Sequence, residues 1–178
     1  PEAHKPFRDA KPIYFTDADL YAFCDFLLRD RQPSPIFDHW EVMDASSCCI
    51  GYTGARILMR VLSLPGCRVH TVDLSHQDLG PRGADAVASA IRCNPRLSTV
   101  RMLGSFIHDA GAREFAKLLE DETGCPAAHA LEELDLSVNM ISYEVLRELE
   151  GVKPKGLKLV LRGNRVLDEV LNASSHAL

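Results

Sequence analysis

The sequence predicts an α/β fold: a right-handed solenoid of about five βα repeats, with a parallel sheet on its concave face and a helical cap at its amino end. Three observations predict it. The stretch Val69 to Asn94, VHTVDLSHQDLGPRGADAVASAIRCN, returns in recognisable form after steps of 28 and 34 residues and in degraded form at both ends. Each copy changes period internally, from apolar alternation, as a half-buried strand requires, to helical spacing. The array is preceded by a separate amphipathic helix, which suits an end where core and strand edges would otherwise be open.

Taken in order, Pro1 to Lys11 is polar and proline-bearing and reads as an extended arm. Thr16 is an N-cap, with Asp17 and Asp19 in the first turn where carboxylates favour the positive end of the helix dipole. That helix is expected to reach about Asp30, with Leu20, Phe23, Cys24, Leu27 and Leu28 as its apolar stripe. Gln32 to Pro35 break it, and Ile36, Phe37 and Trp40 are expected to wedge between cap and array. The chain divides into arm and capping helix at 1–39, the repeat domain at 40–171, and a flexible tail at 172–178.

With Val69 as position 1, apolar residues stand at positions 4, 6 and 11 (Val72, Leu74, Leu79), Gln77 at position 9, and Gly83 and Ala84 at positions 15 and 16. The frame from Leu97 places Val100, Met102, Ser105, Ile107, Gly111 and Ala112 alike. From Leu131 it gives Leu134, Leu136, Asn139, Ile141 and Val145; from Trp40, Met43, Ala45, Cys48, Ile50, Gly54 and Ala55; from Gly156, Leu159, Leu161, Asn164 and Val166. The second halves share one helical phase: Ala55, Leu58, Met59, Leu62; Ala84, Val87, Ala88, Ile91; Ala112, Phe115, Ala116, Leu119. The last unit holds a strand, Leu157 to Leu161, and at most a short helix from about Val166. Between the third and fourth units Glu120 to Ala130, EDETGCPAAHA, lengthens the connection, as tolerated decoration or as a contact loop.

HTVDLSHQDLGPRGADAVASAI and LEELDLSVNMIS resemble the leucine-rich repeats of the ribonuclease-inhibitor type, whose unit is LxxLDLSxNxLxxxGAxxLAxxL and about 28 residues long. The resemblance covers roughly Trp40 to Val166. It implies an α/β solenoid and a protein-binding role, in a family holding inhibitors, GTPase activators, actin-capping and axonemal scaffold proteins and sensor domains.

Composition narrows the function. A net charge of −5 and a pI near 5.8 argue against a general nucleic-acid binder. No apolar run approaches the roughly 18 residues of a membrane span, and the start has no signal-peptide pattern. Pro1 in first place fits either a removed initiator methionine or one segment of a longer chain. The six cysteines, Cys24, Cys48, Cys49, Cys67, Cys93 and Cys125, form no CxxC pair; buried free thiols in a reducing compartment are expected, with a disulfide framework as the alternative.

No HExxH, GxSxG, GxxxxGK or GxGxxG is present, and the histidines are scattered. His70 and His76 flank one strand too far apart to share a metal. Gly51, Gly54, Gly80 and Gly83 serve turns or close approaches, not a phosphate loop. No catalytic residue, metal site or cofactor is expected.

What remains is the exposed face of the sheet. If positions 4 and 6 fill the core, positions 3, 5 and 7 face outward. This strip is acidic toward the amino end, carries Arg101 and an exposed Leu103 in the middle, and turns basic at the far end. Asp73, Arg101, Leu103, Glu133, Asp135, Lys158 and Arg162 are the expected partner-binding residues, and Arg101, Leu103, Lys158 and Arg162 depart from the DLS pattern of the family.

The expected function is a non-enzymatic protein-binding module or structural subunit of a larger intracellular assembly. Cytoplasm or cytoskeleton, such as an axoneme, is the first setting and the mitochondrion the second; this choice is fold-level analogy. The sequence offers no sign of homo-oligomerisation. One alternative is an inhibitor or GTPase-activator-like regulator of an enzyme acting through Arg101. Another is an RNA-associated subunit using Lys153, Lys155, Lys158, Arg162 and Arg165, residues that equally suit a solvated edge guarded by lysine.

Overall fold

The computed structural model describes residues 16–28, 40–64, 67–120 and 130–164. Strands β1 (Val42–Asp44), β2 (Thr71–Asp73), β3 (Thr99–Arg101), β4 (Glu133–Asp135) and β5 (Lys158–Val160) form one parallel sheet in sequence order. Helices α2 (Tyr52–Leu62), α3 (Gly80–Cys93), α4 (His108–Glu120) and α5 (Tyr143–Val152) each follow a strand, and α1 (Asp17–Leu28) precedes them all. Neighbours in sequence are neighbours in space, from α1 against α2 to α4 against α5.

The pairing aligns equivalent positions. Val42 stands beside Thr71, Thr71 beside Thr99, Thr99 beside Glu133 and Glu133 beside Lys158, all of them position 3 of their units. Val72, Val100 and Leu134 at position 4 and Leu74, Met102 and Leu136 at position 6 are buried beneath the helices. The helices answer with Ala55, Leu58, Leu62, Ala84, Val87, Ile91, Ala112, Phe115 and Leu119, also buried. Each large side chain so buried contributes on the order of 1.5–3 kcal/mol. Because the helices share one phase, they bury one apolar stripe and leave the sheet's other face open. That is unusual for parallel strands, which more often have both faces covered.

Close approach of α4 to α3 explains the position 15 glycine of the third unit. A Cβ on Gly111 would lie 2.8 Å from the Ala84 Cβ and 3.1 Å from the Pro81 Cα, so a larger residue would push α4 away from α3.

A polar ladder ties the strand-to-helix turns together inside the core. Asn139 Oδ1 accepts from the Ser105 N–H at 2.8 Å, while its Nδ2 donates to the Met102 carbonyl at 2.6 Å. Asn164 repeats this one unit later, accepting from Asn139 N–H at 2.6 Å and donating to the Leu136 carbonyl at 2.9 Å. Gln77, two units before Asn139, does it toward Ile50 N–H and the Ala45 carbonyl. These side chains satisfy backbone groups that turn away from the sheet within the protein, where water cannot reach them.

At the amino end α1 packs against α2. Thr16 and Asp19 cap α1 reciprocally: the Thr16 N–H donates to Asp19 Oδ2 at 2.9 Å, and Asp19 N–H donates to Thr16 Oγ1 at 3.4 Å. Asp17 Oδ1 reaches across to the Gly51 N–H, at the N-cap of α2, at 2.8 Å. Leu20 and Cys24 are buried, and Phe23 stacks on Trp40 at 5.6 Å.

Some boundaries differ from expectation. Strand β5 spans three residues where five were expected, and every strand stops at position 5, in β1, β2 and β4 at an aspartate whose turn is described below. The arm, the expected end of the first helix near Asp30, the Ile36 and Phe37 wedge, the segment 121–129, Arg165 and the tail lie outside the described residues. Cys67 follows α2 by several residues and is buried, with its N–H on the Leu64 carbonyl at 3.1 Å. Of the thiols expected to be buried, Cys24 and Cys67 are; Cys48 is half-buried, and Cys49 and Cys93 are exposed, because each sits at the end of a turn or helix rather than on an inward face.

Candidate functional site

The open face of the sheet is built from positions 3 and 5, whose side chains point away from the helices. At position 5, Asp44, Asp73 and Asp135 each bend their Oδ1 onto the backbone N–H two residues ahead: Ser46 at 3.0 Å, Ser75 at 2.9 Å and Ser137 at 2.9 Å. Such Asx turns end the strand. The hydrogen bonds from Ser46, backbone first and side chain second, hold the Asp44 carboxyl below the usual carboxylate range.

This turn also corrects the expected outward direction of position 7. Past position 5 the chain no longer alternates, so Ser75 and Ser137 point inward and are only 5 % exposed. Ser75 Oγ accepts from the Leu103 N–H at 3.2 Å. Leu103, expected to be exposed, is half-buried.

In the third unit Arg101 replaces the position 5 aspartate. It stands in register between Asp73 and Asp135. Its Nε donates to Glu133 Oε1 at 2.9 Å, and Lys158 Nζ donates to Glu133 Oε2 at 2.7 Å, so one carboxylate bridges three strands. Glu133 is the sheltered member at 18 % side-chain exposure, against 41 % for Arg101 and 67 % for Lys158. The Lys158 and Arg101 hydrogen bonds hold its carboxyl below the ordinary value. The Glu133 hydrogen bond, with Asp73 and Asp135 nearby, raises the pKa of the Arg101 guanidinium further.

Of the seven expected partner-binding residues, Arg101, Glu133 and Lys158 are joined directly, and Asp73 and Asp135 flank them. Arg162 is exposed, and its side chain bonds none of the other six. At the basic end Lys153 and Lys155 are exposed, while Lys158 is turned toward Glu133.

One feature was not anticipated. Tyr52, Arg56 and Arg60 follow one another at helical spacing along α2, and Arg82 of α3 lies over the Tyr52 ring at 4.5 Å. The spacing was visible in the sequence; that Arg82 would meet it from the next helix was not. Among the described residues no three of the His, Cys, Asp and Glu side chains are grouped so as to hold a metal, and no helix is long and apolar enough to cross a membrane.

No family model matches the chain. It is similar to NACHT, LRR and PYD domains-containing protein 1a allele 1 and to NACHT, LRR and PYD domains-containing protein 1 allele 2, both of Rattus norvegicus. Each is 29 % identical over 121 residues, covering 68 % of this chain and 10 % of the relative. The chain thus matches about a tenth of the length of these curated relatives.

Proposed function

We propose that this chain is a leucine-rich-repeat solenoid of the ribonuclease-inhibitor type acting as a non-enzymatic protein-binding module, a scaffold subunit of a larger intracellular assembly. The observation that carries the reading is the open parallel-sheet face with its Arg101, Glu133 and Lys158 network. A sheet face left uncovered by helices, polar and prearranged in charge, offers a partner an ordered surface at little further cost in entropy. The in-register stacking of the units and the relatives named for LRR domains support the same reading.

Asp73 and Asp135 would receive basic groups of the partner. Lys158 and Arg162 would receive acidic ones. Arg101, already held between carboxylates, would act mainly in register and orientation. The test is capture of the partner that co-purifies with the wild-type chain from its native source. Arg101→Ala and Lys158→Glu are expected to weaken capture about tenfold or more, on the order of 1.4 kcal/mol, while Arg113→Ala on the helical side leaves it unchanged. Equal capture by all three variants would refute the assignment of the surface.

Regulation of a partner enzyme through Arg101 is the second reading, favoured by the position of that arginine at the centre of the acidic row. It predicts that Arg101→Ala abolishes regulation while binding is partly kept.

A further inference from the structure

The helical side of the molecule carries a second surface. Between α2 and α3 lies a groove of about 440 Å³, floored by Met59, Ala86 and Ala90 and walled at one end by Tyr52. Arg56 and Arg82 both approach the face of the Tyr52 ring, at 5.9 Å and 4.5 Å, and Arg60 follows one turn further along α2. Among the described residues the basic side chains Arg101, Arg113, Lys117 and Lys158 all sit on a carboxylate. None of Arg56, Arg60 and Arg82 does, although Asp85 lines the same groove. Two exposed guanidiniums thus lie over one ring, with a third, Arg60, beside them in the groove, in a protein of net charge −5, and none of the three is paired with an acid. Stacking on tyrosine holds Arg56 and Arg82 in place without consuming their hydrogen bonds.

We infer that this groove docks an acidic segment of a protein partner, bound in extended form with one apolar side chain on the Met59, Ala86 and Ala90 floor. The spacing favours a peptide over a point anion. Arg56 and Arg60 are one turn apart, about 6 Å along the helix, and alternate residues of an extended chain are about 6.6 Å apart. Carboxylates at i and i+2 would therefore meet the two guanidiniums, with the intervening side chain turned away from them, and each pairing can be bidentate. This contact is separate from the open sheet face, and either could exist without the other.

The test uses the folded chain and a fluorescein-labelled peptide, Glu-Asp-Glu-Leu-Asp-Phe-Glu-Glu, read by anisotropy at low and moderate salt. Binding that weakens at least tenfold in R56Q/R82Q, is unchanged in R113Q and Arg101→Ala, and is lost when the peptide's acids become amides is the expected result. All substituted arginines are exposed or half-exposed, and matching circular-dichroism melts establish that the variants are folded. A second readout is local: bound peptide should shield Cys93, which lines the groove, from alkylation, while exposed Cys49 stays reactive. Absence of binding, equal binding by R56Q/R82Q, loss only in Arg101→Ala, or equal competition by inorganic phosphate or a short RNA would each overturn the inference.

Discussion

Glu133 is the residue on which the open face is balanced. Its carboxylate takes Arg101 on one oxygen and Lys158 on the other, and without it two cations on adjoining strands would lose their common partner. Partly exposed pairs of this kind contribute about 0.2–1 kcal/mol each, so Glu133→Gln should cost roughly 1 kcal/mol at pH 7. The pH dependence has a definite sign. A carboxyl whose folded pKa is lowered contributes its stability above the ordinary value of 4.5 and loses it as pH falls through the folded value. The gap between wild type and Glu133→Gln, measured by urea denaturation, should therefore be present at pH 7 and shrink as pH falls below 4.5 through the lowered folded value. A gap that persists unchanged into acid would show that packing, not charge, is lost. Which residue would bridge the face was not legible in the sequence. Positions 3 and 5 and the departure of Arg101 from aspartate were, but that a glutamate at position 3 joins side chains at positions 5 and 3 of its two neighbours depends on register and rotamer, which only the folded sheet supplies.

Units are joined by single side chains at position 9. Asn139 serves two N–H groups and two carbonyls of its own and the preceding unit: Ser105, Ile107, Met102 and Ser137. Asn139→Ala would leave several buried polar groups without partners at 1–3 kcal/mol each, so a loss of about 3 kcal/mol is expected. In a chain of this size that corresponds to a fall in Tm of about 6–12 °C, read by thermal melting. A fall below about 2 °C would mean that water or neighbouring groups replace the amide. The helices were the most legible elements, because Ala84, Val87, Ala88 and Ile91 and their equivalents state the period outright. The strands were legible in place but not in length. The same DLS triplet that suggests an outward aspartate and serine instead ends the strand, since aspartate at position 5 prefers its own backbone N–H two residues on. Capping of one helix by its predecessor was not foreseen: Asp17 serves Gly51, and Asp109 accepts from the Ser142 N–H at the start of α5 at 2.7 Å. These bonds run between units 33 and 34 residues apart in sequence, and local patterns do not carry them.

At the scale of the whole molecule, five strands in sequence order make a sheet with one face buried and one open, and helices in the same order close the other side. The repeat in the sequence foretold this order, since each copy can bury its apolar face only against the next. What the repeat could not foretell is the division of charge: a mutually paired strip on the sheet and an unpaired arginine cluster on the helices. The central claim is that the sheet face meets a protein partner. Cross-linking mass spectrometry on the assembly purified gently from its native source tests it most directly, because Lys158 marks the sheet face and Lys117 the helical side. Reproducible links from Lys158 to one partner, with Lys117 free of links to it, are the predicted result. Links from Lys117 alone, or a chain that runs as a monomer with no linked neighbour, would contradict the account.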